Sequence, residues 1–312
     1  MLDRRRRTPT VGREGTIPPV PCERPHAVKI DAHTQLCGLI GNPVHHSLSP
    51  AIHNAAFEAE GLNFAYVAFR VEDVRGAVTG MRALGLSGLS VTIPHKLAII
   101  EHLDALDPVA RRVGSVNTVV NRNGILVGYT TDGLGALAAL REASADPLGR
   151  RVLVLGAGGS ARAIAMTIAI EAPPHELTIA ARDARKAAAL SEDVRLAAPE
   201  VGVVAISLGD DELAPALDRA TIVIHTTSVG MIPDSDGCLI QEHLIRRDHS
   251  VLDIVYTPRV TELGQRAMRA GARLILGSEM FVRQAAAQFE LWTSRAAPVE
   301  VMRAIVESSP VP

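Results

Sequence analysis

The segment Arg151-Val-Leu-Val-Leu-Gly-Ala-Gly-Gly-Ser-Ala-Arg162 constrains the fold more than any other part of this chain. An apolar run leads directly into a glycine turn and then into an Ala-rich helix, the order in which a parallel strand hands the chain to its crossover helix. The segment matches G-x-G-x-x-G/A, with Ala161 in the last place. In such a pattern Gly156 makes the turn, Gly158 lets a pyrophosphate approach the backbone, and Ala161 lets helix and sheet close together. The free amides of the helix N-terminus then face the phosphates. A dinucleotide, NAD or NADP, is the expected cofactor, held by Gly156, Ala157, Gly158, Gly159 and Ser160.

The same rhythm extends both ways. Apolar strands are expected at Leu36–Ile40, Phe64–Phe69 and Gly88–Ile93, alternating with helices over Pro50–Glu60 and Val74–Leu84. A second series has strands Arg151–Leu155, Leu177–Ala181, Val203–Ser207 and Ile222–Thr226, with helices Ser160–Ala172 and Ala184–Leu196. This is an α/β chain with two parallel sheets. At 312 residues it exceeds what one core serves comfortably, so two domains are expected. The division reads as a disordered leader over 1–32, a substrate-binding α/β domain over 33–131, an interdomain helix within 132–149 and a Rossmann-type dinucleotide domain over 150–280. The turn Asp146-Pro147-Leu148-Gly149 marks the boundary. Helices within 281–309 are expected to pack back on the first domain.

Thirty-two basic side chains nearly balance thirty-four acidic ones, so nothing in the charge points to nucleic acid or a membrane surface. The expected partner is a small molecule, and the protein a monomer or homodimer. Cys22, Cys37 and Cys238 are odd in number and lack metal-ligand spacing, which argues against disulfides and a metal site and for the cytoplasm. The most hydrophobic stretch, 152–170, is interrupted by glycines and Arg162 and is no membrane span.

Residues 42–54, Asn-Pro-Val-His-His-Ser-Leu-Ser-Pro-Ala-Ile-His-Asn, form a second informative segment. Ser47 and Ser49 stand two apart before Pro50, with His46, His53 and Asn54 close by, as in a polar pocket wall for a hydroxyl-rich ligand. Ser49 would also serve as an ordinary cap for the helix starting at Pro50. Farther along, Ser90-Val-Thr-Ile-Pro-His-Lys96 ends a strand in a proline turn and a lysine. Gly114-Ser-Val-Asn-Thr118 follows, and Gly128-Tyr-Thr-Thr-Asp-Gly133 brings an acid to the start of the interdomain helix. Taken singly, Lys96 reads as a surface lysine and Asp132 as a helix cap.

Together, in this order and with the glycine loop, these motifs resemble the shikimate dehydrogenase family, which includes quinate/shikimate dehydrogenases, from about Leu36 to Trp292. The resemblance implies a reversible, NAD(P)-dependent reduction of 3-dehydroshikimate, with Lys96 and Asp132 handling the proton. It implies that Ser47, Ser49, Thr92, Asn117 and Gln284 bind the hydroxyls and carboxylate of a polyhydroxylated ring acid, and that Tyr256 closes the site. It places Thr226 to Ser228, Ile254, Gly277 and Met280 near the nicotinamide, although Met280 would equally fill core.

The chain departs from the family pattern, with Ser90, Thr130 and His225 where Asn is usual, Glu279 where Gly is usual, and Ala181, Asp183 and Lys186 in the specificity loop. Arg182 would pair with the 2′-phosphate of NADP, whereas Asp183 would accept from the free ribose hydroxyl of NAD or merely cap the helix from Ala184. The reading leans slightly to NAD. These departures would also suit a quinate or aminoshikimate-type paralogue, and the fold alone would suit a non-catalytic dinucleotide-binding protein.

Overall fold

A computed structural model describes residues 30–309. The first half runs β1 (Gln35–Gly41), α1 (Ser49–Ala59), β2 (Phe64–Arg70), α2 (Val74–Leu84), β3 (Gly88–Val91), β4 (Ala105–Leu106), α3 (Pro108–Val113), β5 (Thr118–Arg122) and β6 (Ile125–Tyr129). Its sheet has the order β2-β1-β3-β5-β6-β4. Strand β1 is parallel to β2 and β3, but β5 runs antiparallel to both β3 and β6, so the expected parallel sheet is in fact mixed. The cause is local. Asn123-Gly124 joins β5 to β6 as a tight hairpin, a connection that only antiparallel strands can use.

Helix α4 (Asp132–Glu142) crosses to the second half, made of β7 (Arg151–Leu155), α5 (Gly159–Glu171), β8 (Glu176–Ala181), α6 (Ala184–Ala197), β9 (Gly202–Ser207), α7 (Asp210–Arg219), β10 (Ile222–His225), β11 (Ser250–Asp253), α8 (Glu262–Arg269) and β12 (Arg273–Leu276). All neighbours are parallel in the order β12-β11-β10-β7-β8-β9, the doubly wound Rossmann arrangement. The inner strands are buried on both faces, which is why Val152–Leu155 and Ile222–Ile224 are continuous apolar runs. Short strands β11 and β12 and helices α7 and α8 extend what the periodicity indicated.

The chain then returns. Helices α9 (Gly277–Thr293) and α10 (Val299–Ser308) lay Phe281, Ala285, Phe289, Trp292 and Met302 into one core with Cys37, Ile52, Phe57 and Tyr66 of the first half. Arg303 on α10 pairs with Glu279 on α9 at 3.3 Å, which gives the unusual Glu279 a structural task. The leader expected over 1–32 lies outside the described residues except for its last three, where Asp31 accepts a hydrogen bond from Asn63 at 2.9 Å. Among the described residues no helix is long and apolar enough to cross a membrane, and no cluster of His, Cys, Asp or Glu could hold a metal.

Candidate active site

The carboxyl ends of the central strands of both sheets, β3 and β7, face one crevice, where an open α/β sheet binds its ligands. On the first sheet, β3 ends in a tight turn closed by the His95 amide on the Thr92 carbonyl, and the Lys96 carbonyl accepts from the Val116 amide. This fixes the lysine backbone on both sides. Its ammonium donates to Asp132 Oδ2 at 2.5 Å, and both side chains are largely buried, 13% and 9% exposed. Asn117 Nδ2 donates to the other carboxylate oxygen at 2.7 Å. Asp132 makes no cap bond for α4, whose Ncap is Thr131, so its carboxylate is spent on the lysine and asparagine. The surface-lysine and helix-cap readings both fail on this geometry.

The pair lines a cavity of about 190 Å³ with Ser47, Ser49, Thr92, Tyr256 and Gln284. Ser49 does not cap α1 either. The Ncap is Leu48, and the Ser47 hydroxyl donates to Ser49 Oγ while accepting from the Ser49 amide, each at 3.2 Å. Tyr256 stacks on Phe281 at 4.6 Å, and burial pushes its phenol pKa up to about 12. Gln284 donates to the Phe281 carbonyl at 3.0 Å from one face of α9.

The polar wall of residues 42–54 sorts differently from the sequence order. His46, Ser47 and Ser49 reach the cavity, but Asn54 clamps both main-chain groups of Tyr66, and His53 is fully buried against Tyr66 and Trp292. Helix geometry turns Asn54 away from Ser49, whereas His53, four residues on and so on the same face as Ser49, is covered by the Tyr66 and Trp292 rings.

A larger cleft of about 1010 Å³ opens on the second sheet, lined by Gly156, Ala157, Gly158, Arg182, Asp183, Lys186 and Thr226 to Ser228. Gly156 adopts φ 121°, which a side chain would resist, and a Cβ on Gly158 would point into open space. Gly158 is also the Ncap of α5 with no side-chain cap, so the first amides of that helix remain unspent. These are the features a pyrophosphate requires. Ser160, Ile254, Gly277 and Met280 line the smaller cavity, Ser160 standing two residues after Gly158 of the cleft, and a Cβ added at Gly159 would come 3.7 Å from the Lys96 side chain.

Thr226 spends its hydroxyl on the Leu155 carbonyl at 2.7 Å, so it shapes the cleft and offers no free donor. His225, in place of the usual Asn, links Asp253 (2.8 Å) to the Thr227 hydroxyl (2.6 Å), while Asp253 also accepts from Thr261 at 2.5 Å. Asp183 is the Ncap of α6, accepting from the Arg185 amide at 3.1 Å and pairing with the Arg185 side chain at 3.4 Å. Against the cost of desolvation, these contacts hold its carboxyl below the usual range. The lean toward NAD rested on a carboxylate free to read a ribose hydroxyl, and here Oδ1 of that carboxylate is engaged by the N-terminus of its own helix.

Two polar side chains at the cavity, Ser90 and Gln288, were not read from the sequence as ligand-binding. Gln288 had a usable signal, since it lies four residues after Gln284 and so on the same helix face.

The sequence model of the shikimate dehydrogenase substrate binding domain matches residues 39–119, and that of the shikimate 5'-dehydrogenase C-terminal domain matches residues 277–307. The chain is 44% identical to the shikimate dehydrogenase (NADP(+)) of Moorella thermoacetica over 284 residues, 90% of this chain and 96% of the relative. A shikimate dehydrogenase solved in complex with NADP+ superposes with a TM-score of 0.85 at 37% identity, covering 91% of this chain and 98% of the other. The shikimate 5-dehydrogenase of Listeria monocytogenes, solved with shikimate and NAD, gives 0.83 at 36% identity, covering 89% and 98%. With the Lys96–Asp132 pair, the serine wall and the glycine cleft in one crevice, these likenesses place the chain in the shikimate dehydrogenase family.

Proposed function

We propose that the protein is an NADP-dependent shikimate dehydrogenase that reversibly reduces 3-dehydroshikimate to shikimate. The observation that carries this reading is the Lys96–Asp132 contact at 2.5 Å, held in a cavity whose wall includes Ser160, next to the glycine loop that lines the cleft. Residues 33–131 supply the substrate side, 132–149 the connection and 150–280 the dinucleotide side. Bound in the cleft, NADPH supplies hydride to the ring carbonyl carbon. Negative charge then builds on the carbonyl oxygen, which the Lys96 ammonium stabilises and protonates, while Asp132 keeps that ammonium aimed. In the oxidative direction Lys96 takes the hydroxyl proton.

Ser47 and Ser49 are suited to the substrate carboxylate, with Thr92, Asn117 and Gln284 on ring hydroxyls and Tyr256 as the closing wall. Ser160, Ile254, Gly277 and Met280 border the place where the nicotinamide meets the substrate. NADP is favoured over NAD because Arg182 and Lys186 line the adenosine end of the cleft as cations, whereas Asp183 is engaged by its own helix. Cys37 and Cys238 are free thiols, in keeping with the reducing cytoplasm.

The test is a steady-state assay with shikimate and quinate, each with NADP and NAD. Shikimate with NADP should give the highest kcat/KM. Binding of NADP without turnover of either acid would leave a non-catalytic dinucleotide-binding protein, and a preference for quinate would move the enzyme to the paralogous activity.

A further inference from the structure

Beneath the Lys96–Asp132 pair runs a buried chain of polar side chains in which Tyr66, Ser90, Gln288 and Thr118 have no part in the proposed reaction. Its directions are set by main-chain groups that can only donate or only accept. The Asn117 carbonyl only accepts, so the amide nitrogen of Gln288 must face it, at 3.2 Å; the second N–H goes to Thr118 Oγ1 at 3.0 Å. Gln288 Oε1 therefore faces Ser90, whose hydroxyl donates to it at 2.9 Å, and Tyr66 must in turn donate to Ser90, at 2.7 Å. At the other end the Thr131 amide donates to Asn117 Oδ1, which leaves Asn117 Nδ2 for Asp132. Thr118 donates in turn to Asn117 Oδ1 at 2.8 Å, so one line of donors runs from Tyr66 to the carboxylate, each bond polarising the next, while Asn117 Nδ2 also donates to Thr131 Oγ1 at 2.9 Å.

Ser90 and Gln288 line the cavity at 4% and 2% exposure. Every N–H and O–H they own is already given to protein. What they offer the cavity is lone pairs only: one on Ser90 Oγ and the second on Gln288 Oε1, which the buried His53 also approaches. The opposite end is rich in donors, with the Lys96 ammonium and the serine hydroxyls. We propose that Gln288, with Ser90, is a specificity-determining residue whose oxygen accepts a hydrogen bond from a ring hydroxyl other than the one oxidised. A ketone or carboxylate turned to this floor would meet lone pairs, whereas a hydroxyl would satisfy them, so the floor orients the ring. Ser90 stands where the family usually has Asn, and here the carboxamide that reaches this point comes from α9 instead.

This inference rests on the proposed reaction, and its test separates the two. Shikimate, 4-deoxyshikimate and 5-deoxyshikimate are assayed with NADP on the wild type, Gln288→Met and Gln288→Glu. The wild type should disfavour one deoxy acid by roughly 10- to 100-fold in kcat/KM, the effect of leaving a buried acceptor without its donor. Gln288→Met should lose that discrimination chiefly through a raised KM for shikimate, with NADP affinity intact. Gln288→Glu, protonated when buried, keeps both an acceptor for the ring and a donor for Asn117, and should retain most of the discrimination. Equal losses on all three acids, or wild-type discrimination in Gln288→Met, would overturn the assignment; should that variant not fold, loss of discrimination in Gln288→Glu would do so. If the wild type turns over no acid with either dinucleotide, the proposed activity fails alone. Calorimetric binding of the three acids to wild type and variants then decides the role of Gln288, and absence of shikimate binding overturns both.

Discussion

The two sides of the crevice are built by different means. On the dinucleotide side the backbone is presented: a glycine turn, an uncapped helix N-terminus and open space where a side chain would intrude. On the substrate side almost nothing is offered by backbone: six side chains, from Tyr66 through Ser90, Gln288, Thr118 and Asn117 to Asp132, engage one another before any ligand arrives, and Ser47 and Ser49 pair beside them. A backbone cradle tolerates change in its surroundings as long as the turn survives. A side-chain network does not, because removing one member leaves a buried partner unsatisfied at a cost of about 1–3 kcal/mol.

The largest expected effect lies where the two sides meet. Lys96→Ala should lower kcat by about 10²- to 10⁴-fold, the usual worth of a positioned proton donor, with NADP affinity nearly unchanged. Asp132→Asn should behave similarly, since the ammonium loses its 2.5 Å anchor. Steady-state kinetics and dinucleotide titration check both; a lost NADP affinity in either would mean that the two sides are not separable.

Next in size is the adenosine end. Arg182→Ala should weaken NADP by roughly 10- to 100-fold, as expected for one charge-assisted contact, and leave NAD within a few-fold. Equal losses of NADP and NAD in a fluorescence titration would count against a 2′-phosphate contact.

The same contrast explains what could be read in advance. The second sheet was legible because strands buried on both faces spell themselves as apolar runs, and because the glycine turn needs the strand before it and the helix after it. The hairpin of β5 and β6 was missed although Asn123-Gly124 marks it, because Asn121, Arg122 and the nearby Tyr129 break the apolar pattern. Lys96 and Asp132 could be paired only through a family resemblance, because each alone has a commoner use. Gln288 escaped because a glutamine on a helix usually faces water, and its burial depends on Ser90 and Asn117, far away in sequence. Asn54 was grouped with the serines by adjacency, which a helix undoes; His53 shares the face of Ser49 but is shut off by the rings of Tyr66 and Trp292, which lie far away in sequence.

Acid should distinguish the halves more gently. His53 on the substrate side is fully buried, and neither ring nitrogen has a hydrogen-bond partner among the described residues. Burial pushes its pKa down to about 3, against a weaker opposing pull from Gln288. His249 on the other side is also buried, and burial together with the Arg246 charge likewise lowers its pKa, but it accepts from the Arg246 amide and bonds the Leu217 carbonyl, both at 3.1 Å, so it adds to the same slope without the unpartnered ring of His53. With the folded-state value below the unfolded one, near 6.5, the unfolded chain binds the extra proton as pH falls. Stability should therefore drop by up to about 1.4 kcal/mol per pH unit between roughly pH 6.5 and 3. His53→Phe keeps a ring against Tyr66 and should flatten that slope in denaturant titrations run at successive pH values. An unchanged slope would mean that the site opens to water or that His53 finds a partner.

The smallest effect concerns the residue on which the two cofactors most visibly disagree. If Asp183 is a helix cap, as its bond to the Arg185 amide indicates, then Asp183→Ala costs folding and not recognition. The melting temperature should fall by about 2–4 °C, the usual price of a lost Ncap in a chain of this size, while the ratio of NADP to NAD affinity moves by less than about threefold. Asp183→Ser, which keeps a capping oxygen without charge, should restore the melting temperature. Should Asp183→Ala instead weaken NAD tenfold and tighten NADP, the carboxylate would be reading the ribose after all. The dinucleotide side would then no longer be a backbone cradle with cations at one end, because its selectivity would depend on a side chain shared between helix and ligand.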